Sequence, residues 1–193
     1  MLGRRKGQMI NKYVLDYVVF DLETTGVSWK KDRIIEISAV KVLDSKVVDE
    51  FSELVNPECS IPYYASRVNG IFDDMVCDAR TFDEVLPDFI DFVGDSILVG
   101  HNIHAFDMKF LYRECRDVYG ETLTNNYVDT LYLSRKCVPK LPHHKLVDMA
   151  EYFNISTEGA HRALNDCRMN QEVFERLGNS IKEPLEIERK LLI

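Results

Sequence analysis

The sequence is short of positive charge. Lys and Arg number 24 against 32 Asp and Glu, for a net charge of −8. That balance excludes a protein that coats duplex DNA through a broad basic face. It leaves room for one that grips a single strand end, where bound cations supply the positive charge. No apolar run is long enough to cross a bilayer, so no membrane association is expected. No Cys-x-x-Cys pair occurs, and the cysteines are odd in number: Cys59, Cys77, Cys115, Cys137 and Cys167. A thiolate zinc site and a disulfide framework are both disfavoured, and a reducing cytoplasm is the expected setting. Internal repeats and low-complexity segments are also missing. Arg4, Arg5 and Lys6 open the chain, but no apolar core follows them before Met9. Residues 1–12 therefore read as a flexible tail, not a secretory signal.

What remains is an ordinary globular composition, 46% apolar and 29% charged. A chain of 193 residues buries about 70% of its unfolded surface, enough for one domain without staples. Residues 13–180 read as that domain, and 181–193 as a terminal helix or tail. Tyr17-Val18-Val19-Phe20 is a continuous apolar run, the pattern of a strand buried on both faces. Ile35, Ile37 and Ala39 alternate with Glu36, Ser38 and Val40. A β-rich run over 47–55 follows through the short polar link Leu43-Asp44-Ser45-Lys46, which suits a hairpin. Three antiparallel strands are expected at the start. The second half mixes helices with short strands. Helices are expected over 81–93, with Thr81 and Glu84 as a capping box, and over 105–118, 130–136, 143–153 and 162–177. Short strands are expected over 96–100 and 127–129. The fold class is α/β.

Three acidic segments stand out. Asp21 and Glu23 follow the first strand. Their i, i+2 spacing puts both on one face, about 6.6 Å apart along the strand. Such a pair repels, and a hard dication relieves the repulsion. Asp107 sits in the first turn of a helix reached through Gly100-His101-Asn102-Ile103-His104; the alternative there is simple dipole complementarity. In His161-Arg162-Ala163-Leu164-Asn165-Asp166, five residues separate the histidine from the acid, about 140° around a helix. His161 must then lie at the loop-to-helix junction. The alternative for Asp166 is a surface ion pair with Arg162 at i, i+4. Four carboxylates from three segments suit a two-cation phosphodiester site.

With these residues in view, the sequence resembles the DEDDh (DnaQ-like) 3′–5′ exonuclease family, to which the proofreading exonuclease of bacterial DNA polymerase III belongs. The resemblance rests on Asp21-Leu22-Glu23-Thr24-Thr25-Gly26, on His101-Asn102 with Phe106-Asp107, and on His161-Arg162-Ala163 with Asp166. Arg33-Ile34-Ile35-Glu36-Ile37, Val68-Asn69-Gly70-Ile71 and Val128-Asp129-Thr130-Leu131 look like family segments in the same order. It implies a ribonuclease-H-like fold, a mixed five-stranded sheet with three antiparallel strands and flanking helices. It implies two Mg²⁺ or Mn²⁺ ions. Asp21 would bridge both, Glu23 and Asp166 would bind the first, and Asp107 would act directly or through water. His161 would take a proton from the attacking water, a role imidazole suits near neutrality. Leu22, Thr24, Thr25, His101 and Asn102 would line the pocket for the 3′-terminal nucleotide. One departure is Cys167, where the family usually has alanine; a free cysteine packs as a small hydrophobe.

The function so implied is removal of nucleotides from the 3′ end of single-stranded DNA to give 5′-mononucleotides, in proofreading or repair, with a DNA polymerase subunit as a candidate partner. The alternative is the same chemistry on RNA, because the motifs do not report on contacts at the 2′ position. A non-catalytic binding module is disfavoured, since it has no need of all five site residues. A zinc phosphohydrolase is disfavoured because no His-x-x-x-His pair exists.

Overall fold

The computed structural model describes residues 2–190, with side chains up to residue 180. Among the described residues seven strands form: β1 (Leu2–Gly3), β2 (Tyr17–Thr24), β3 (Ile34–Leu43), β4 (Lys46–Leu54), β5 (Ile97–Gly100), β6 (Thr122–Leu123) and β7 (Tyr127–Asp129). Seven helices accompany them: α1 (Tyr63–Asn69), α2 (Asp73–Val76), α3 (Phe82–Val93), α4 (Asp107–Tyr119), α5 (Thr130–Cys137), α6 (Leu146–Tyr152) and α7 (Ala163–Lys190). The main sheet has five strands in the order β4-β3-β2-β5-β7. β2, β3 and β4 run antiparallel, while β5 and β7 lie parallel to β2 and to each other. This is the mixed sheet that the alternation and the family resemblance both imply.

The local chemistry explains the elements. β3 and β4 are joined by Asp44 and Ser45 with φ of 49° and 59°, the left-handed pair that a two-residue hairpin requires. Thr81 and Glu84 close a capping box on α3, with the Thr81 N–H donating to the Glu84 carboxylate at 2.9 Å. Val18, Phe20 and Leu22 of β2 face Phe89 of α3 and Phe110 of α4 on one side. Tyr17 and Val19 face Val173, Phe174 and Leu177 of α7 on the other. Each of these apolar side chains removes roughly 1.5–3 kcal/mol of unfavourable exposure, so β2 is held from both faces. α1, α2 and the link between them, for which the sequence pattern gave no expectation, pack Ala65, Ile71 and Val76 against Ile35. α1 begins after Pro62 and ends at Gly70 in the left-handed conformation, a Pro-start and Gly-stop signature.

One expectation needs correction. The basic N-terminal segment is not free in this structure. Leu2–Gly3 pairs antiparallel with Thr122–Leu123, and Met9 bridges Tyr127. Gly7 lies so close to the Asn125 carbonyl that a Cβ would sit 1.7 Å from its oxygen. The backbone groups of this segment find partners on β6 and β7, which are invisible from local sequence. The terminal element expected over 181–193 is continuous with α7 through Lys190; its last three residues lie outside the described residues.

Candidate active site

β2 outruns its parallel neighbour. Tyr17–Val19 pair with Ile97–Val99, but Asp21 and Glu23 lie beyond that ladder and pair only with Ser38 and Glu36 of β3. Both carboxylates are thus presented at the sheet's carboxyl edge, on the α7 side, by strand alternation. Asp166 comes from the first turn of α7. Ligand oxygens of Asp21, Glu23 and Asp166 all lie within 4.8 Å of one another. Three like charges this close cannot all ionise freely. Burial, then Asp107, Glu23 and Asp166, push the Asp21 pKa well above the usual carboxylate range. Burial and Asp166 push Glu23 to about 8, and burial raises Asp166.

Asp107 opens α4 and is almost fully buried. Burial pushes its pKa to about 7, although the backbone N–H groups of Asp107 and Leu22 donate to the carboxylate and oppose the shift. It stands outside the tight trio, yet its charge is second only to burial in raising Asp21. A hard dication fits this donor set: all oxygen, anionic and mutually repelling. Among the described residues, the cluster able to hold a metal contains no histidine or cysteine.

His161 does lie at the junction that its spacing to Asp166 demands. It has φ of 70°, and α7 begins at Ala163. A left-handed non-glycine costs about 1 kcal/mol or more. The conformation brings the His161 N–H to the Asp166 carboxylate at 3.2 Å and keeps the residue exposed. The alternative open for Asp166, a surface pair with Arg162, does not form. Arg162 pairs with Glu36 instead, Nη2 donating at 2.8 Å, and the Ala163 N–H donates to the same carboxylate at 3.1 Å. Glu36 therefore anchors the start of α7 from β3. Its sequence signal is an acid flanked by Ile34, Ile35 and Ile37 at the start of β3. Asn69, at the end of α1, donates its side-chain amide to Glu23 and lowers its pKa against the other causes.

The expected nucleotide-pocket residues divide. The Leu22 side chain joins the core, and Thr24 and Thr25 are buried with local partners. The Thr24 hydroxyl donates to the Gly26 carbonyl at 2.7 Å, and the Thr25 hydroxyl accepts from the Arg33 N–H at 3.0 Å. These residues shape the β2–β3 turn, which Arg113 of α4 clamps through the carbonyls of Trp29 and Asp32. His101 and Asn102 line a cavity of about 510 Å³. Both His101 ring nitrogens are engaged, by the Thr130 hydroxyl at 3.0 Å and the His144 carbonyl at 2.8 Å, and burial lowers its pKa. Asn102 has φ of 65°, its N–H held by the buried Asp129 carboxylate at 3.0 Å. A Cβ on Gly100 would meet Ile103 at 2.1 Å, so only glycine lets this turn close. Cys167 is buried, its thiol donating to the Ser38 carbonyl at 3.3 Å, as a packing residue should.

Comparison with known proteins gives a consistent picture. A family model described as RNase_T, exonuclease, matches residues 18–174. The chain is 44% identical over 172 residues to a DNA polymerase III PolC-type of Clostridium perfringens (strain 13 / Type A), a match covering 89% of this chain and 12% of that protein. It is 38% identical over 161 residues to DNA polymerase III subunit epsilon of Aquifex aeolicus (strain VF5), covering 83% of this chain and 79% of the relative. The chain thus spans a small part of the PolC-type relatives and most of the epsilon subunit. Among solved structures, exonuclease X in complex with 5′ overhanging duplex DNA superposes with a TM-score of 0.71 at 25% identity, covering 85% of this chain and 92% of that one. E. coli exonuclease I in complex with a dT13 oligonucleotide shares the fold at a TM-score of 0.78 and 15% identity, covering 90% of this chain and 43% of that one.

Proposed function

The chain belongs to the RNase_T exonuclease family, and from that premise we propose that it is a divalent-cation-dependent 3′–5′ exonuclease acting on single-stranded DNA. Its products are 5′-mononucleotides, and its work is proofreading or repair beside a DNA polymerase III-type replicase. The observation that carries the reading is the trio of Asp21, Glu23 and Asp166 oxygens within 4.8 Å of one another, with Asp107 behind it. Burial, then Asp107, Glu23 and Asp166, raise Asp21, a cost that bound cations would relieve, and Asp21 would help hold both ions. Glu23 and Asp166 would hold one ion with it, and Asp107 the other. When bound, Mg²⁺ or Mn²⁺ supplies positive charge beside the scissile phosphodiester and makes a water more acidic. His161 would accept, at a ring nitrogen, the proton of the water that attacks the phosphodiester. The water oxygen forms a bond to phosphorus, the P–O3′ bond breaks, and the departing 3′-oxygen takes a proton from solvent. Leu22, Thr24, Thr25 and Asn102 would border the terminal nucleotide. The unpaired cysteines suit a reducing cytoplasm.

The test uses single-stranded DNA and RNA oligomers of one sequence, labelled at either end, with Mg²⁺. The expected result is stepwise loss from the 3′ end of DNA, abolished by Asp21→Asn or chelation. His161→Ala should lower single-turnover rates by roughly 10²–10⁴-fold and leave cation affinity largely intact. Full activity in chelator, or products bearing a 3′-phosphate, would overturn the mechanism. Faster digestion of RNA would reassign the substrate.

A further inference from the structure

Buried polar side-chain atoms in folded proteins almost always have a hydrogen-bond partner. Among the described residues two have none, Tyr112 Oη and Thr122 Oγ1. Both belong to one corner of the molecule, where the second half of α4 packs against β6. Lys6 of the N-terminal segment sets its Nζ 4.3 Å from the centre of the Tyr112 ring. Thr122 is only 7% exposed. Its neighbour Leu123 enters the core, so strand alternation turns Thr122 to the other face. Gly3, its cross-strand partner, brings no side chain to that face.

There Thr122 borders a cavity of about 390 Å³, within the range of ligand pockets, roughly 300–1,000 Å³. Arg4, Lys6, Arg116 and Glu121 also border it. Cationic side chains are common over this surface and mark no site by themselves. Here three of them, against one carboxylate, stand around a buried hydroxyl that lacks a partner. A hydroxyl free to donate to an oxyanion, beside guanidinium groups whose planar fork matches phosphate, suits a phosphate group. Arg116 follows Asp107 by nine residues on α4, about 14 Å along the axis. The cavity is therefore separate from the carboxylate cluster.

We infer that this cavity binds a phosphate group, whose oxygens accept a hydrogen bond from the Thr122 hydroxyl and face the charges of Arg4, Lys6 and Arg116. Bound there, the ligand ties the N-terminal segment, which supplies Arg4 and Lys6, to the helix that carries Asp107 at its other end. The site does not depend on the exonuclease reading.

The experiment is calorimetric titration of the full chain with sodium phosphate and with thymidine 5′-monophosphate, in chelator and at fixed ionic strength. Without cations the carboxylate cluster repels both anions, so binding reads this cavity. The expected result is one saturable site for phosphate. Thr122→Val, which keeps the shape and removes the hydroxyl, should weaken binding at least tenfold, and so should Arg116→Gln. In phosphate-free buffer Thr122→Val should melt at or above wild type, because the lost hydroxyl had no partner. With phosphate at about ten times its dissociation constant, wild type should gain roughly 3–6 °C and the variant much less. Nucleotide bound at least tenfold tighter than phosphate would name a nucleotide as the source; equal affinities would name the phosphate group alone. No saturable binding, or equal binding by wild type and Thr122→Val, would overturn the site. Loss of binding in Asp21→Asn would place the anion at the carboxylate cluster and overturn it as well. So would a Thr122→Val protein that melts well below wild type without phosphate, since the hydroxyl would then already be held by a bound water.

Discussion

Glu23 shows how a single side chain stores the site's electrostatic cost. Its pKa stands at about 8 because burial and Asp166 oppose its charge. An acid whose folded pKa lies above its unfolded value binds its proton more tightly when folded. Its contribution to stability is then full below about pH 4 and is lost as pH climbs towards 8. Without cations, Glu23→Gln should therefore stabilise the protein at pH 8 and change little at pH 4. Allowing for partial exposure, the gain is about 1–3 kcal/mol, or roughly 3–10 °C in the thermal midpoint. Saturating Mg²⁺ should remove the advantage, since the wild-type carboxylate is then a ligand and the variant has lost one. Melting curves in chelator and in Mg²⁺ at both pH values measure this. A gain that does not depend on pH would show that packing, not charge, is responsible.

At the scale of elements, the decisive joint is between β3 and α7. Glu36 is nearly fully buried and holds both Arg162 and the Ala163 N–H. Two site residues, His161 and Asp166, flank that joint on the chain. Arg162→Ala removes two hydrogen bonds to the buried carboxylate and leaves it the Ala163 N–H. It should cost about 1–3 kcal/mol, the range for an under-satisfied buried group. It should also slow turnover at least tenfold, because the start of α7 sets where His161 and Asp166 sit. Arg162→Lys keeps a charge but not the two-pronged contact and should fall between. Urea unfolding and single-turnover rates on the same samples give both values. Normal turnover in a destabilised Arg162→Ala protein would make the joint structural only.

For the whole molecule, charge governs encounter with the substrate. A body of net charge −8 repels a polyanion at long range. In chelator, affinity for a single-stranded 12-mer should be weaker than about 10⁻⁴ M, the upper end for non-specific DNA binders. Adding Ca²⁺, a poor fit for tight octahedral geometry but still a dication, should tighten binding at least tenfold with little cleavage. Fluorescence anisotropy with labelled oligomers reads both. Equal binding with and without cations would mean that basic surface alone grips the strand.

The sequence by itself determined whatever depends on near neighbours in the chain. The apolar run of β2, the Thr81–Glu84 box and the stripe of α7 are local patterns with one low-energy solution. The paired acids of β2 and the junction position of His161 follow from spacing alone. What required the tertiary structure was the choice among chemically equal partners. Arg162 has an acid four residues away in Asp166, yet it takes Glu36, separated by 126 residues. Glu23 is steadied by Asn69 from a helix that carries no long apolar stripe. His101, an expected nucleotide contact, has both nitrogens committed to Thr130 and His144. The N-terminal strand is two residues long, too short for any periodicity, and exists because β6 offers it an edge. Spacing fixes which face a side chain occupies, but proximity across the fold decides which donor meets which acceptor.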